Sequence, residues 1–192
     1  MKKIIKLFLT ILLSSLVIGP GLQAQQVKNK KMTRQERKTM RLKAEKQSRQ
    51  YYFQLLKHRL FVLEANQLYD RNGFAIPVSS NLNFLAVKGN KVIFQFGLDG
   101  WMPSPNGVGG ITAEGFLDHY TVNPGKTEKK AMVVTGYIRP KDSGDWINFR
   151  LTVGNDGNAF LYMNLPFGGN LSMNGQIVDY AHASVFKGSA WF

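Results

Sequence analysis

The residues able to do chemistry are few and scattered. His58, His119 and His182 are the only histidines, and cysteine is absent. Without sulfur the chain can form no disulfide, thiolate nucleophile, cysteine-ligated zinc or iron–sulfur site, and no acylated cysteine can anchor it as a lipoprotein. No two histidines have the spacing of a local metal site. Asp118-His119 has the composition of an oriented imidazole for acid–base work. Neighbours on a strand point to opposite faces, however, so the pair is expected not to touch. Glu114 and Asp118 would share a strand face at ~13 Å. That exceeds the ~5–9.5 Å that separates paired glycosidase carboxylates. Asp142 and Asp145 sit in an expected hairpin turn without the alternating acids of a calcium loop.

Asn106-Gly107-Val108-Gly109-Gly110 invites a phosphate reading. A phosphate loop needs Gly-Lys-Ser/Thr leading into a helix, so that amides and dipole converge on the anion. Here the glycines lead into Ile111-Thr112-Ala113-Glu114, which reads as strand, and no lysine lies nearby. A turn needing positive φ or close chain approach accounts for them instead. No catalytic constellation assembles, so no catalytic residue, metal or cofactor is predicted.

Charge is the stronger signal. The chain has 25 Lys+Arg against 12 Asp+Glu. Twelve of the basic residues fall between Gln25 and Leu60, opposed only by Glu36 and Glu45. From Phe61 onward ten basic residues meet ten acids. The body is neutral, and the arm carries the excess. Thr33-Arg34-Gln35-Glu36 has capping-box spacing, and no Gly or Pro follows until after Asn66. A stripe of Met40, Ala44, Ser48, Tyr51, Tyr52, Leu55 and Leu56 strengthens toward the C-terminal end. The last two or three turns should therefore pack on the body while the first project into solvent. Arg34, Arg37, Lys38, Arg41 and Lys43 are the candidate contacts for an anionic surface, at about 1 kcal/mol per cation close to that surface. The alternative is a solvated helical spacer. Nucleic acid is not expected as a partner, because the arm lacks interleaved aromatics before Tyr51.

Ahead of the arm, Lys2, Lys3 and Lys6 precede an apolar stretch running from Leu7 toward Ile18. Gly19-Pro20-Gly21 breaks it, and Ala24 offers a small residue for cleavage. This is the order of a secretory signal peptide, with an uncleaved anchor as the alternative. The stretch falls short of the ~20 residues of a membrane span. The predicted organisation is a signal peptide at 1–24, a basic helical arm at 25–58 and a β domain at 59–192, the mature chain being periplasmic or extracellular.

After Arg59 the apolar period changes from helix to strand. Ile147, Phe149, Leu151 and Val153 alternate with Asn148, Arg150 and Thr152, and Val92, Phe94 and Phe96 share one side of another strand. Further strands are expected at 61–69, 83–87, 110–117, 131–138, 158–165 and 176–180. Asn72-Gly73, Lys88-Gly89-Asn90 and Asn155-Asp156-Gly157 supply hairpin turns. The fold class is mostly β: a small antiparallel β-barrel of about seven or eight strands behind a basic N-terminal helix. Trp146, Phe160 and Tyr162 fall on outward positions, to pack beneath the arm or to line a groove at a barrel mouth. Trp101 lies in a loop, and Trp191 and Phe192 end the chain.

Four segments together carry a family resemblance. Phe61-Val62-Leu63-Glu64-Ala65 follows the charged helix, and Asn83-Phe84-Leu85-Ala86-Val87-Lys88-Gly89 runs on to Gln95. The Asn106 to Gly110 segment continues through Thr112 and Glu114 to Gly115, and Ser184-Val185-Phe186-Lys187-Gly188 comes last. The chain resembles the secreted bacterial proteins grouped as domain of unknown function 4251. That resemblance implies a helix followed by a β-barrel of lipocalin-like topology, and no activity, cofactor or catalytic residue. The expected role is a non-enzymatic binding or interaction module of the cell envelope, holding an apolar small ligand or a protein partner. A hydrolase or isomerase acting on a cell-wall or glycan fragment is the alternative. An open interior would favour binding inside the barrel, and a filled one a structural role.

Overall fold

The computed structural model describes residues 32–70, 72–97, 110–141, 144–166 and 169–187. The signal segment, Lys28, Lys30 and Lys31, Trp101, residues 106–109 of the glycine-rich loop, Asp142, Trp191 and Phe192 lie outside them.

Helix α1 spans Arg34–His58, directly after Thr33. Glu36 sits in its first turn and Lys57 and His58 in its last, which suits the helix dipole at both ends. The His58 ring donates from Nδ1 to the Gln54 carbonyl at 3.0 Å. No glycine ends the helix. Arg59 adopts the left-handed conformation, φ 56°, and the chain reverses at once into a strand. The Arg59 guanidinium stacks over the Tyr120 ring at 4.7 Å, which helps hold that backbone.

The strands are β1 (Leu60–Tyr69), β2 (Ala75–Pro77), β3 (Phe84–Lys88), β4 (Lys91–Gly97), β5 (Gly110–Asn123), β6 (Met132–Pro140), β7 (Ile147–Val153), β8 (Asn158–Asn164) and β9 (Asn170–Asp179). All pairings are antiparallel. The order is β2-β1-β3-β4-β5-β6-β7-β8-β9, and β9 returns to β1. Eight strands thus close an up-and-down barrel of the expected topology, with three-residue β2 as a flap on the end of β1. Closure satisfies the edges that an open sheet would expose.

Three features depart from the strand expectations. Strand β5 runs six residues past Leu117 because a bulge absorbs His119 and Tyr120 opposite Gly136 alone. Strand β9 begins at Asn170, where Asn and Gly lower the intrinsic β signal but pairing to β8 overrides it. The flap β2, exposed throughout and ending in Pro77, lacks any alternation to betray it.

Inward alternation supplies the barrel core. Phe61, Leu63, Phe149, Leu151, Met132, Met163 and Met173 are all fully buried, and Val92 and Phe94 nearly so. Leu55 and Leu56 of α1 join the same core and plug one end. Each such side chain contributes about 1.5–3 kcal/mol on burial.

The docking face of α1 is rotated from the stripe read in the sequence. Met40 and Tyr51 are 60% and 49% exposed, whereas Arg49 and Phe53 are partly covered. The reason is polar. The loop after β5 presents carbonyls, and Arg49 donates to those of Pro124 and Lys130. Ser48 donates to the Asn155 carbonyl at 2.7 Å, and Tyr120 to the Leu56 carbonyl at 2.7 Å. Gly157 lies beneath Tyr52 with φ 82°; a Cβ there would strike the tyrosine ring, so the helix can seat only over glycine.

Candidate functional site

An eight-stranded barrel is wide enough either to be filled by its own side chains or to hold one small ligand. Phe61, Leu63, Phe149, Leu151, Met163 and Met173 occupy much of this interior, and the exposed surfaces among the described residues lie outside it. They are the basic half of α1, the wall formed by β1, β3, β4 and β5, and the wall formed by β6, β7, β8 and β9.

Arg34, Arg37, Lys38, Arg41 and Lys43 are all exposed, and none makes an ion pair among the described residues. At 3.6 residues per turn, Arg34, Arg37, Lys38 and Arg41 share one stripe and Lys43 lies on the opposite side. Lys46 differs from them, pairing with Glu128 at 3.3 Å across the β5–β6 loop. Where α1 meets the β7–β8 turn, a cleft of about 630 Å³ is lined by Arg41, Glu45, Ser48, Lys129, Asn155 and Asp156 among others. Its charges are mixed, two cations facing two carboxylates.

On the first wall the chain covers itself. After β9 a strap of residues 180–187 crosses the outside of the barrel. Tyr180, Ala183 and Val185 pack on Val62, Phe84, Ala86 and Ile93, forming a second apolar cluster. Polar groups fix the strap. The Phe186 amide donates to the Asn81 carbonyl at 2.8 Å, and the Ser184 amide to Glu64 Oε1 at 2.8 Å. Gln95 donates to the Leu82 and Phe186 carbonyls, 2.9 Å each, and accepts from Thr112 at 2.8 Å. Asn83 accepts from the Gly97 amide at 2.9 Å. Glu114 is clipped between Lys141, at 2.7 Å, and Lys187. Hydrogen bonds from Lys141 and then Lys187 hold its carboxyl down to about 2. The residues that carry the family resemblance, Asn83, Gln95, Thr112, Glu114 and 184–187, therefore meet in one place. Gln95 and Glu114 bond the strap directly, while Thr112 bonds Gln95 and Asn83 holds the end of β4.

The acid–base candidates are not assembled into a cleft, but one expectation about them fails. Asp118 and His119 do touch. His119 takes φ 47° in the β5 bulge, its amide donates to Asp118 Oδ1 at 2.8 Å, and its ring nitrogen stands 3.8 Å from the same oxygen. The bulge breaks the alternation that would have separated them. Both side chains are largely exposed, at 76% and 44%. Glu114 is engaged elsewhere, in the lysine clip. His58 ends α1, and His182 lies exposed in the turn after β9. Among the described residues no three His, Asp or Glu side chains gather closely enough to hold a metal.

On the second wall no strap crosses the strands among the described residues. Its rings form a chain in which His119 meets Tyr137 at 5.9 Å and Tyr137 meets Trp146 at 6.0 Å, each edge to face. Arg139 lies over Trp146 at 6.0 Å. Farther round, Tyr69 meets Phe160 at 5.7 Å. Trp146 and Phe160, 44% and 40% exposed, are not buried beneath α1, and Tyr162 is half-buried. Sequence reading singled out those three but missed Tyr137, Asn148, Arg150 and Asn164 beside them. The available signal was the composition of the outward positions: β6, β7 and β8 contain no acidic residue at all.

No helix among the described residues is long and apolar enough to cross a membrane. No curated protein matches the chain. A crystal structure of a DUF4251 family protein from Bacteroides eggerthii DSM 20697 superposes with a TM-score of 0.60 at 29% identity, covering 75% of this chain and 95% of that one. The family described as Domain of unknown function (DUF4251) matches residues 43–177, and the chain belongs to that family.

Proposed function

We propose that this chain is a non-enzymatic interaction module of the bacterial cell envelope, exported by its N-terminal segment, whose basic helix contacts an anionic surface. The observation that carries the reading is the state of Arg34, Arg37, Lys38, Arg41 and Lys43. All five are exposed, close together in sequence and without an ion-pair partner among the described residues, while the charges of the β domain balance. The buried side chains that line the barrel, Phe61, Leu63, Phe149 and Met173 among them, support contact through the outside over an apolar ligand within. Phospholipid headgroups or other envelope phosphates supply the complementary charge, and each cation near them contributes about 1 kcal/mol.

The test is co-sedimentation of the chain from Gln25 onward with phosphatidylglycerol-containing vesicles at low ionic strength. Replacing the five cations by glutamine should lower the partition coefficient at least tenfold. Raising the salt should do the same to the unaltered chain, because exposed charges are screened within about 10 Å at 0.1 M. Equal partitioning of the altered and unaltered chains would end this reading.

A further inference from the structure

We propose that the wall of β6, β7 and β8 is a platform for an acidic polysaccharide strand. This goes beyond the reading of α1 and stands or falls separately from it. Three observations support it.

The first is charge. Strands β6, β7 and β8 hold no Asp or Glu, while Arg139 and Arg150 are exposed on them without an ion-pair partner among the described residues. The nearest carboxylates are at the margins. Asp118 is turned onto His119, Glu114 is held between two lysines, and Asp145 lies in the turn before β7. The wall is therefore complementary to a negative ligand, and guanidinium groups bind carboxylates in a bidentate, planar manner.

The second is the rings. Tyr137 and Trp146 are 40% and 44% exposed. They stand 6.0 Å apart and edge to face, so together they offer one ring face and one ring edge to a ligand. The faces of sugar rings carry C–H groups that stack on aromatic rings, while phenol and indole keep a polar edge for hydroxyls.

The third is what lies between the rings. Tyr137 pairs with Asn148 and Asn148 with Asn164 across the ladder, and Arg150 pairs with Tyr162 one row away. Strands stand about 4.8 Å apart, so the row from Tyr137 through Asn148 and Asn164 to Asn170 spans about 14 Å. A carboxamide offers both donors and an acceptor, the pattern that adjacent hydroxyls present. Thr135, Asn148 and Asn164 are exposed between the rings and the outward Val133 is half-buried, so groups that bond hydroxyls outnumber aliphatic ones on this wall. A hydroxyl-rich, carboxylated chain fits this wall better than a protein surface does.

The experiment is affinity electrophoresis of the full mature chain in gels containing polygalacturonate, or the same polymer with its carboxyl groups reduced. Three altered chains are compared: Tyr137→Ala with Trp146→Ala, Arg139→Gln with Arg150→Gln, and the five-glutamine α1 chain. Polygalacturonate should retard the unaltered chain, and the reduced polymer should do so several-fold less. Each wall variant should lose about tenfold in affinity, while the α1 variant keeps most of it. All the altered side chains are exposed, so unchanged unfolding midpoints should accompany these losses. Retardation that disappears with the α1 cations and ignores the wall variants would overturn the proposal, since the helix would then be the polyanion site. Absence of any retardation would overturn it too, as would a protein partner that occupies this wall on a chain showing no polysaccharide binding.

Discussion

Phe84 and Phe160 both occupy outward positions of the barrel wall, yet one is 1% exposed and the other 40%. The difference lies in what the chain does afterwards. Residues 180–187 return across β1, β3 and β4 and turn their outer face into a second core. Among the described residues no such segment returns across β6, β7 and β8. A barrel wall is thus not outside by virtue of facing away from the barrel axis, because eight residues of strap bury Val62, Phe84 and Ala86 on its outer face. The other half of the wall still displays Tyr137, Trp146 and Phe160, and large exposed rings on an otherwise polar face are what a binding surface presents.

Matched substitutions give the largest expected contrast. Phe84→Ala removes a fully packed ring and should cost about 3–5 kcal/mol, read as a lower urea midpoint with unchanged m. Phe160→Ala should cost no more than about 1 kcal/mol, the loss of an edge contact with Tyr69. Equal costs would mean that the strap does not seal its half. A smaller effect is expected from Val185→Asp, which places a carboxylate against Val62, Phe84 and Ala86. It should cost about 1–2 kcal/mol. Its distinguishing sign is local: amide exchange at Phe186 should accelerate, since its bond to the Asn81 carbonyl depends on the seated strap, while amides of β7 keep their protection.

This division of the wall was partly legible in the residues. Strands β6 and β7 alternate strictly, as a wall with one wet face must. Strand β3 reads Phe-Leu-Ala-Val without a polar break, and all four side chains are buried. An uninterrupted run of that kind signals cover on both faces. What supplies the cover could not be read, because residues 180–187 carry neither strand nor helix periodicity and gain their order from long-range contacts. The same limit applies to the bulge at His119 and to the rotation of α1. Each is decided by a partner distant in sequence, Gly136 in one case and the carbonyls of Pro124 and Lys130 in the other. The basic stripe was legible because charge needs no partner to be counted. The platform was harder to see, since its signal is an absence of acids spread over three separate strands.

The smallest effect tests the polar clip that helps hold the strap. Glu114 bonds to Lys141 and Lys187, and its carboxyl is held at about 2, below the ordinary 4.5. The unfolded chain therefore binds this proton more readily than the folded one. The contribution of Glu114 is complete above pH about 4.5 and is lost as pH falls through about 2. Lys141 and Lys187 are nearly half exposed, so solvent screens the pairs and keeps the contribution modest. Urea midpoints measured from neutral pH down toward pH 2.5 should fall more steeply for the unaltered chain than for Glu114→Gln, and the two curves should converge at the acid end. Raised salt should narrow the gap at neutral pH. Parallel curves across that window would show that apolar packing of Tyr180, Ala183 and Val185 holds the strap without help from the clip. The contrast between the two halves of the wall would then rest on apolar burial alone.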